Sequence, residues 1–324
     1  MVPLRGTGIV ASGGEATGPF KFYFSIYGPG SGNEPEFLRP YDVALDDLGN
    51  IFVTDIDAHR VVVFNRFGRY LFQFGGGGIA KPPGGVKATW QPGFFLYPAG
   101  IDIDIAGNVY VVDSGNRRIN VYDTKGNFKN YLPEDKSPVT LNMPLMVKAT
   151  GKEVYVTDRG RVVVFSKDGK FLRNIGKSGR EQGELSGPDG ITVDDDGNVY
   201  VADGLNMTLQ AYDKEGNLKW VVGKPPTSIR EGDRRFGLPC GLAITSENAV
   251  LVADAFHHTI HAFNIEDGER LAEVGGLGPD NGLFRFPRGL TIGPNDVIYI
   301  ADSINKRVQA LRLLKYETIE EYDY

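Results

Sequence analysis

The chain has 324 residues, and its 35 Lys and Arg against 41 Asp and Glu leave a net charge of −6. That balance excludes the broadly basic footprint of a nucleic-acid binder, and no apolar run approaches the length of a membrane span. A hydrophobic share of 41% supports a packed core, and the single cysteine, Cys240, excludes an intrachain disulfide.

Residues 1–19 read as an N-terminal arm. They show neither the basic n-region nor the apolar h-region of a leader. The expectation is a cytoplasmic protein, or an extracytoplasmic one if a leader has been removed. Phe20 to Gly28 follows as an isolated alternating run with strand character.

From residue 37 onward one pattern recurs six times. A proline opens a short apolar stretch, a turn rich in Gly, Asp or Asn follows, and a second apolar run closes on aspartate. The prolines are Pro40, Pro98, Pro144, Pro188, Pro239 and Pro287, and the aspartates are Asp55, Asp113, Asp158, Asp203, Asp254 and Asp302. Five Pro-to-Asp distances are 15 residues and the third is 14; successive aspartates lie 58, 45, 45, 51 and 48 apart. A period of this size with several β-runs per unit predicts a β-propeller. In the fourth unit, runs at Gly190 to Val193, Val199 to Ala202, Thr208 to Tyr212 and Leu218 to Val222 are separated by turn residues, which gives four antiparallel strands per blade.

The sixth unit ends after Arg307 to Leu313 without an outer strand, and then reaches an acidic tail, residues 316–324. The run Phe20 to Tyr27 is the missing strand. It is expected to pair with Arg307 to Leu313 and close the ring, since an open blade would leave an edge of unpaired backbone groups. The fold class is thus all-β: a six-bladed propeller over residues 20–315, flanked by the arm and the tail.

Pro98 to Tyr122 reads P-A-G-I-D-I-D-I-A-G-N-V-Y-V-V-D-S-G-N-R-R-I-N-V-Y. This resembles the NHL repeat, and the resemblance extends over about residues 37–315. It implies a six-bladed propeller and three functional classes: enzymes such as the peptidylglycine lyase domain and the lactonase group, RNA binders, and interaction platforms. The lyase resemblance implies zinc held by histidines from several blades, and the lactonase resemblance implies carboxylates and amides around a divalent cation in the channel.

The residues do not supply those sets. The four histidines are His59, His257, His258 and His261, and the last three share one blade. H-H-x-x-H resembles a metal clip but not a ring of ligands. The inner-strand positions facing the channel are Ala44, Asp102, Lys148, Thr192, Ala243 and Thr291, with Asp102 and Lys148 expected to pair with each other. The positions after the prolines are Tyr41, Ala99, Leu145, Asp189, Cys240 and Arg288, equally mixed. Cys240 reads as a buried inert thiol. The six aspartates read as structural, each holding its own turn as an Asx turn does. Gly75 to Gly78 opens no helix, so no phosphate cradle is expected.

No catalytic residue, metal or cofactor is therefore expected, while a structural calcium in the channel stays open. Function is expected where the repeat breaks. One break is the Gly75 to Phe95 segment with Trp90, Phe94 and Phe95. Another carries Arg230, Arg234 and Arg235. The third is the tail with Tyr316, Ile319, Tyr322 and Tyr324. These are candidates for contact with a protein partner or a second copy; no nucleic acid is expected. The expected function is a non-catalytic interaction or assembly platform, with a propeller lyase or lactonase bearing a divergent channel metal site as the alternative.

Overall fold

A computed structural model describes residues 9–10, 20–28, 36–76, 93–134, 137–225 and 236–313. Blade 1 is built from Pro40–Leu45, Ile51–Asp55, Arg60–Phe64 and Tyr70–Phe74. Blade 2 runs from Pro98–Ile103 to Phe128–Leu132, blade 3 from Val147–Ala149 to Phe171–Ile175, blade 4 from Pro188–Val193 to Leu218–Gly223, and blade 5 from Pro239–Ile244 to Arg270–Gly275. Blade 6 takes Pro287–Gly293, Val297–Asp302 and Arg307–Leu313 from the end of the chain and Phe20–Ile26 from its beginning. The closing strand pairs antiparallel with Arg307–Leu313, from Phe20 opposite Leu313 to Ile26 opposite Val308. The arm contributes more than a flank, because Ile9–Val10 adds a fifth strand outside Phe20–Ile26.

The sequence pattern explains which strands lie inside. The second strand of each blade is an apolar run up to its aspartate and the third strand is largely buried, Ile51–Asp55 and Arg60–Phe64 being buried at every position, whereas the outer Tyr70–Phe74 alternates between half-buried and exposed. Six apolar clusters result, one between each pair of neighbouring blades. The seam between blades 6 and 1 holds Ile26, Phe37, Val43, Val53, Phe64, Val308 and Ala310. The Ser303 hydroxyl adds a hydrogen bond to the Pro40 carbonyl across it, at 2.5 Å.

The inner strands approach so closely that the glycine of the P-x-G motif is a steric necessity. A Cβ on Gly190 would lie 1.9 Å from the Cys240 carbonyl oxygen, and one on Gly241 would lie 2.4 Å from that of Arg288. Blade 1 departs from this rule with Asp42, and blade 3 with Met146.

The strand-ending aspartates reach beyond the local turn expected of them. All six carboxylates are buried. Their main donors are backbone N–H groups of the segment preceding the blade's own proline. Asp55 accepts from Leu38 and Arg39, Asp158 from Asn142 and Met143, Asp203 from Ser186 and Gly187, and Asp254 from Gly237 and Leu238. Asp113 accepts from Leu96, and Asp302 from Arg285. Among the described residues, backbone N–H groups of the local turn join in blades 4 and 5, through Asn206 and through Phe256 and His257, and side-chain amides join in blades 2 and 6, through Asn116 and Asn305. In four blades an arginine at the start of the third strand balances the charge: Arg60, Arg118, Arg161 and Arg307 lie 2.8–3.0 Å from their aspartates.

Three outcomes follow. Ile26→Ala, which empties a fully buried position in the closing seam, is expected to destabilise the ring by about 2–5 kcal/mol in equilibrium denaturation. Asp302→Asn leaves the buried Arg307 guanidinium without its counter-charge and is expected to cost about 3–5 kcal/mol. Asp203→Asn, at a carboxylate that among the described residues accepts from the Ser186, Gly187 and Asn206 N–H groups and pairs with no arginine, is expected to cost only about 1–3 kcal/mol in the same assay.

Candidate functional site

Each inner strand starts beside the end of its second strand, as Pro40 pairs with Asp55 and Pro287 with Asp302. The residues just before each proline and just after each aspartate therefore share one face of the propeller. On that face Leu38, Tyr97, Met143, Leu205, Phe256 and Ile304 stand 45–61% exposed, one from each blade. These six side chains stand on one face, one per blade. They are reinforced from below. Phe256 packs edge-on against Phe286, and His59 against Tyr97. Sequence reasoning missed this ring because it looked for breaks in the repeat, whereas the apolar residues sit in phase with it, next to Pro or Asp.

Inside the ring the axis is closed by side chains from the positions after the prolines. Arg288 donates to Asp189 at 2.7 Å, the Tyr41 hydroxyl lies 3.4 Å from the other Asp189 oxygen, and the guanidinium lies over the rings of Tyr41 and Phe286. Burial raises the Asp189 carboxyl pKa against the pull of Arg288. Burial also pushes the Cys240 thiol up to about 12, so it is no nucleophile near neutral pH. Ala99 is buried among its neighbours. A fixed cation, Arg288, thus holds the part of the channel nearest this face.

Deeper in the channel the inner strands line a cavity of about 740 Å³ that reaches the turns of the opposite face, at Asp194 to Asn198 and Thr245 to Asn248. Lys148 lies 3.2 Å from Asp102, which also accepts the Ala149 N–H at 2.7 Å. Thr192, Ala243 and Thr291 line the same cavity; Ala44 packs into the seam with blade 2 instead. The residue that sequence reasoning missed here is Asp42. It accepts the Val43 and Ile101 N–H groups, at 2.8 and 2.9 Å, and burial raises its pKa to about 8 despite those bonds. Its signal was the break in P-x-G, P-Y-D, at a position of close strand approach.

The histidines separate into two roles. His59 and His258 hold left-handed backbone, φ 54° and 61°, and their Nδ1 atoms accept N–H bonds from Tyr97 and Phe286 of the next blade. His258 thus leaves the H-H-x-x-H set and is a hinge between blades. His257 and His261 converge instead on Asp254. Of the aromatic pair after the first long break, Phe94 is exposed but Phe95 is buried between blades 1 and 2. Phe95 is core, not contact surface: its ring fills the space over Gly75, where a Cβ would lie 2.0 Å away. Trp90, Arg230, Arg234, Arg235, Tyr316, Ile319, Tyr322 and Tyr324 lie outside the described residues. Among the described residues, no helix is long and apolar enough to cross a membrane.

The NHL repeat family matches residues 37–64 and 284–311, and a family described as a 6-bladed beta-propeller matches residues 131–220. The chain is similar to Protein brain tumor of Drosophila melanogaster, 28% identical over 138 residues, covering 40% of this chain and 13% of that protein. It is also similar to the E3 ubiquitin-protein ligase NHLRC1 of Rattus norvegicus, 34% identical over 113 residues, covering 35% of this chain and 26% of that protein. The match thus spans about a quarter or less of these two relatives. Peptidyl-glycine alpha-amidating monooxygenase A of Xenopus laevis is 26% identical over 253 residues, 72% of this chain and 25% of that protein. Among solved structures, a streptogramin B lyase superposes with a TM-score of 0.57 at 14% identity, covering 85% of this chain and 94% of that one. A gluconolactonase from Xanthomonas campestris gives 0.59 at 14% identity, covering 85% and 86%. At such identity these two structures establish likeness of fold alone.

One pH effect follows from Asp42. Its pKa is higher in the folded chain than the ordinary carboxylate value, so the folded state holds the proton more tightly than the unfolded one. Stability contributed by this group is full below about pH 4 and falls as pH rises toward 8. Asp42→Gly, which restores the glycine of blades 2, 4, 5 and 6, is expected to remove that fall. Urea denaturation of both proteins at pH 5 and pH 9 measures it: the stability of wild type relative to the variant should be lower at pH 9.

Proposed function

We propose, from the premise that the chain is an NHL-repeat six-bladed β-propeller, that it is a non-catalytic platform that binds a protein partner on the face carrying the proline–aspartate ends of its blades. The observation that carries this reading is the ring of Leu38, Tyr97, Met143, Leu205, Phe256 and Ile304, one exposed apolar side chain per blade. Isolated exposed apolar residues need no explanation, but six around one axis remove a large apolar area from water when a partner covers them. The arginine-filled axis beneath gives that partner a rigid floor. The relatives include Protein brain tumor and the E3 ubiquitin-protein ligase NHLRC1, whose names are compatible with a binding role.

A second reading is favoured by one observation. Asp42 lines the 740 Å³ cavity with a carboxyl that burial pushes up to about 8, beside the Asp102–Lys148 pair. A carboxyl that exchanges its proton near pH 8 suits a site for a small ligand, and a lyase- or lactonase-type activity would use it. The two readings separate by mutation: Asp42→Gly removes a channel activity and leaves partner binding intact.

The combined substitution Leu205→Ser, Phe256→Ser and Ile304→Ser tests the platform. These positions are exposed, so the thermal midpoint should stay within a few degrees of wild type. Affinity for a protein partner, or self-association measured by sedimentation, should fall at least about tenfold. The opposite-face variant Leu48→Ser with Ile105→Ser should bind as wild type does. Equal loss in both variants, or in neither, contradicts the proposal.

A further inference from the structure

We infer that Asp254, His257 and His261 form a binding site for a zinc-class divalent metal ion, in the turn between the second and third strands of blade 5. Comparison of the blades carries the inference. Blade 6 has Asp302, Asn305, Arg307 and Gln309 at the four corresponding positions, and blade 2 has Asp113, Asn116, Arg118 and Asn120. Blade 4 has Asp203, Asn206, Thr208 and Gln210. Blade 5 alone replaces both amides with imidazoles, and at the arginine position it has the short Thr259. The space that a guanidinium fills in blades 2 and 6 is thus bordered in blade 5 by two metal-ligating side chains and a carboxylate.

The ligand atoms converge. His257 Nδ1 lies 3.0 Å and His261 Nε2 3.8 Å from Asp254 Oδ2, and the three ligand atoms lie within 4.8 Å of one another. A tetrahedral zinc with bonds of about 2.0–2.1 Å holds its ligand atoms about 3.4 Å apart, and the observed separations straddle that value. Two imidazole nitrogens and one carboxylate oxygen suit zinc rather than calcium or magnesium, which take oxygen ligands. The His257 side chain is 37% exposed, which leaves a path from solvent and room for a water as fourth ligand.

A second observation points the same way. His261 is 1% exposed, yet its Nδ1 has no hydrogen-bond partner. The nearest acid, Glu273 Oε2, is 3.8 Å away, while Nε2 faces the Thr259 hydroxyl at 3.1 Å and Asp254 beyond it. A metal on Nε2 displaces the Thr259 contact and fixes the proton on Nδ1, directed at Glu273, the arrangement by which carboxylates orient metal-bound histidines. Phe236 and Phe263 flank the His261 ring and hold its plane. Asp254 is held in turn by the Gly237, Leu238, Phe256 and His257 N–H groups, so one carboxylate orientation is set before any ion arrives. The site would staple the turn that presents Phe256, but it stands whether or not that residue meets a partner.

The test uses the full chain, stripped with chelator and titrated with zinc chloride by calorimetry, followed by desalting and metal analysis. One zinc per chain and a higher thermal midpoint with zinc are expected. The variant His257→Asn with His261→Gln carries the blade 4 residues and should fold while losing the stoichiometric zinc. His258→Asn, outside the ligand set, should keep it. No stoichiometric zinc in wild type, equal zinc in the double variant, or loss in His258→Asn overturns the inference. If the double variant does not fold, cobalt(II) added to wild type decides: tetrahedral absorption bands support the site, and their absence overturns it.

Discussion

Each blade depends on one buried carboxylate. The aspartate that ends the second strand takes N–H groups from residues 15–17 positions earlier, the last residues of the segment arriving from the previous blade. Left unpaired, those amides would be costly at the crowded start of an inner strand. Bound to the carboxylate, they fix where the chain enters the blade and how its proline sits against the second strand. That constraint explains why the Pro-to-Asp distance is held at 14 or 15 residues while the connections between blades vary freely.

The fold was legible because its constraints are periodic. Prolines, aspartates and P-x-G glycines recur in phase, and the orphaned run at Phe20 to Tyr27 matched the one edge that lacked a strand. Less of the site was legible. The Asp102–Lys148 pair could be read from adjacent inner strands. The amides received by the aspartates could not, since a donor 16 residues away leaves no local signature. Phe95 read as contact surface because composition does not distinguish an exposed aromatic from its buried neighbour; packing over Gly75 does. The separate role of His258 within H-H-x-x-H was not legible, because spacing along the chain hides the left-handed turn that sends its ring toward the next blade.

Single blades vary a common frame. Four blades balance the buried carboxylate with arginine, blade 4 relies on amides, and blade 5 offers imidazoles. Blade 1 puts a carboxyl, Asp42, where blades 2, 4, 5 and 6 have glycine, and so brings a proton-exchanging group to the cavity wall. The scaffold tolerates such changes because each blade meets its neighbours through its own apolar seam.

The apolar ring and the cavity mouth lie at opposite ends of the axis, which makes the proposed binding face open to direct mapping. A photocrosslinking residue can be placed at Phe256 in the ring or at Ile105 on the far face, since both are exposed. Binding through the ring predicts covalent capture of the same protein partner, or of a second copy of the chain, from position 256 and none from position 105. Capture of one partner equally from both positions, or from position 105 alone, would contradict it.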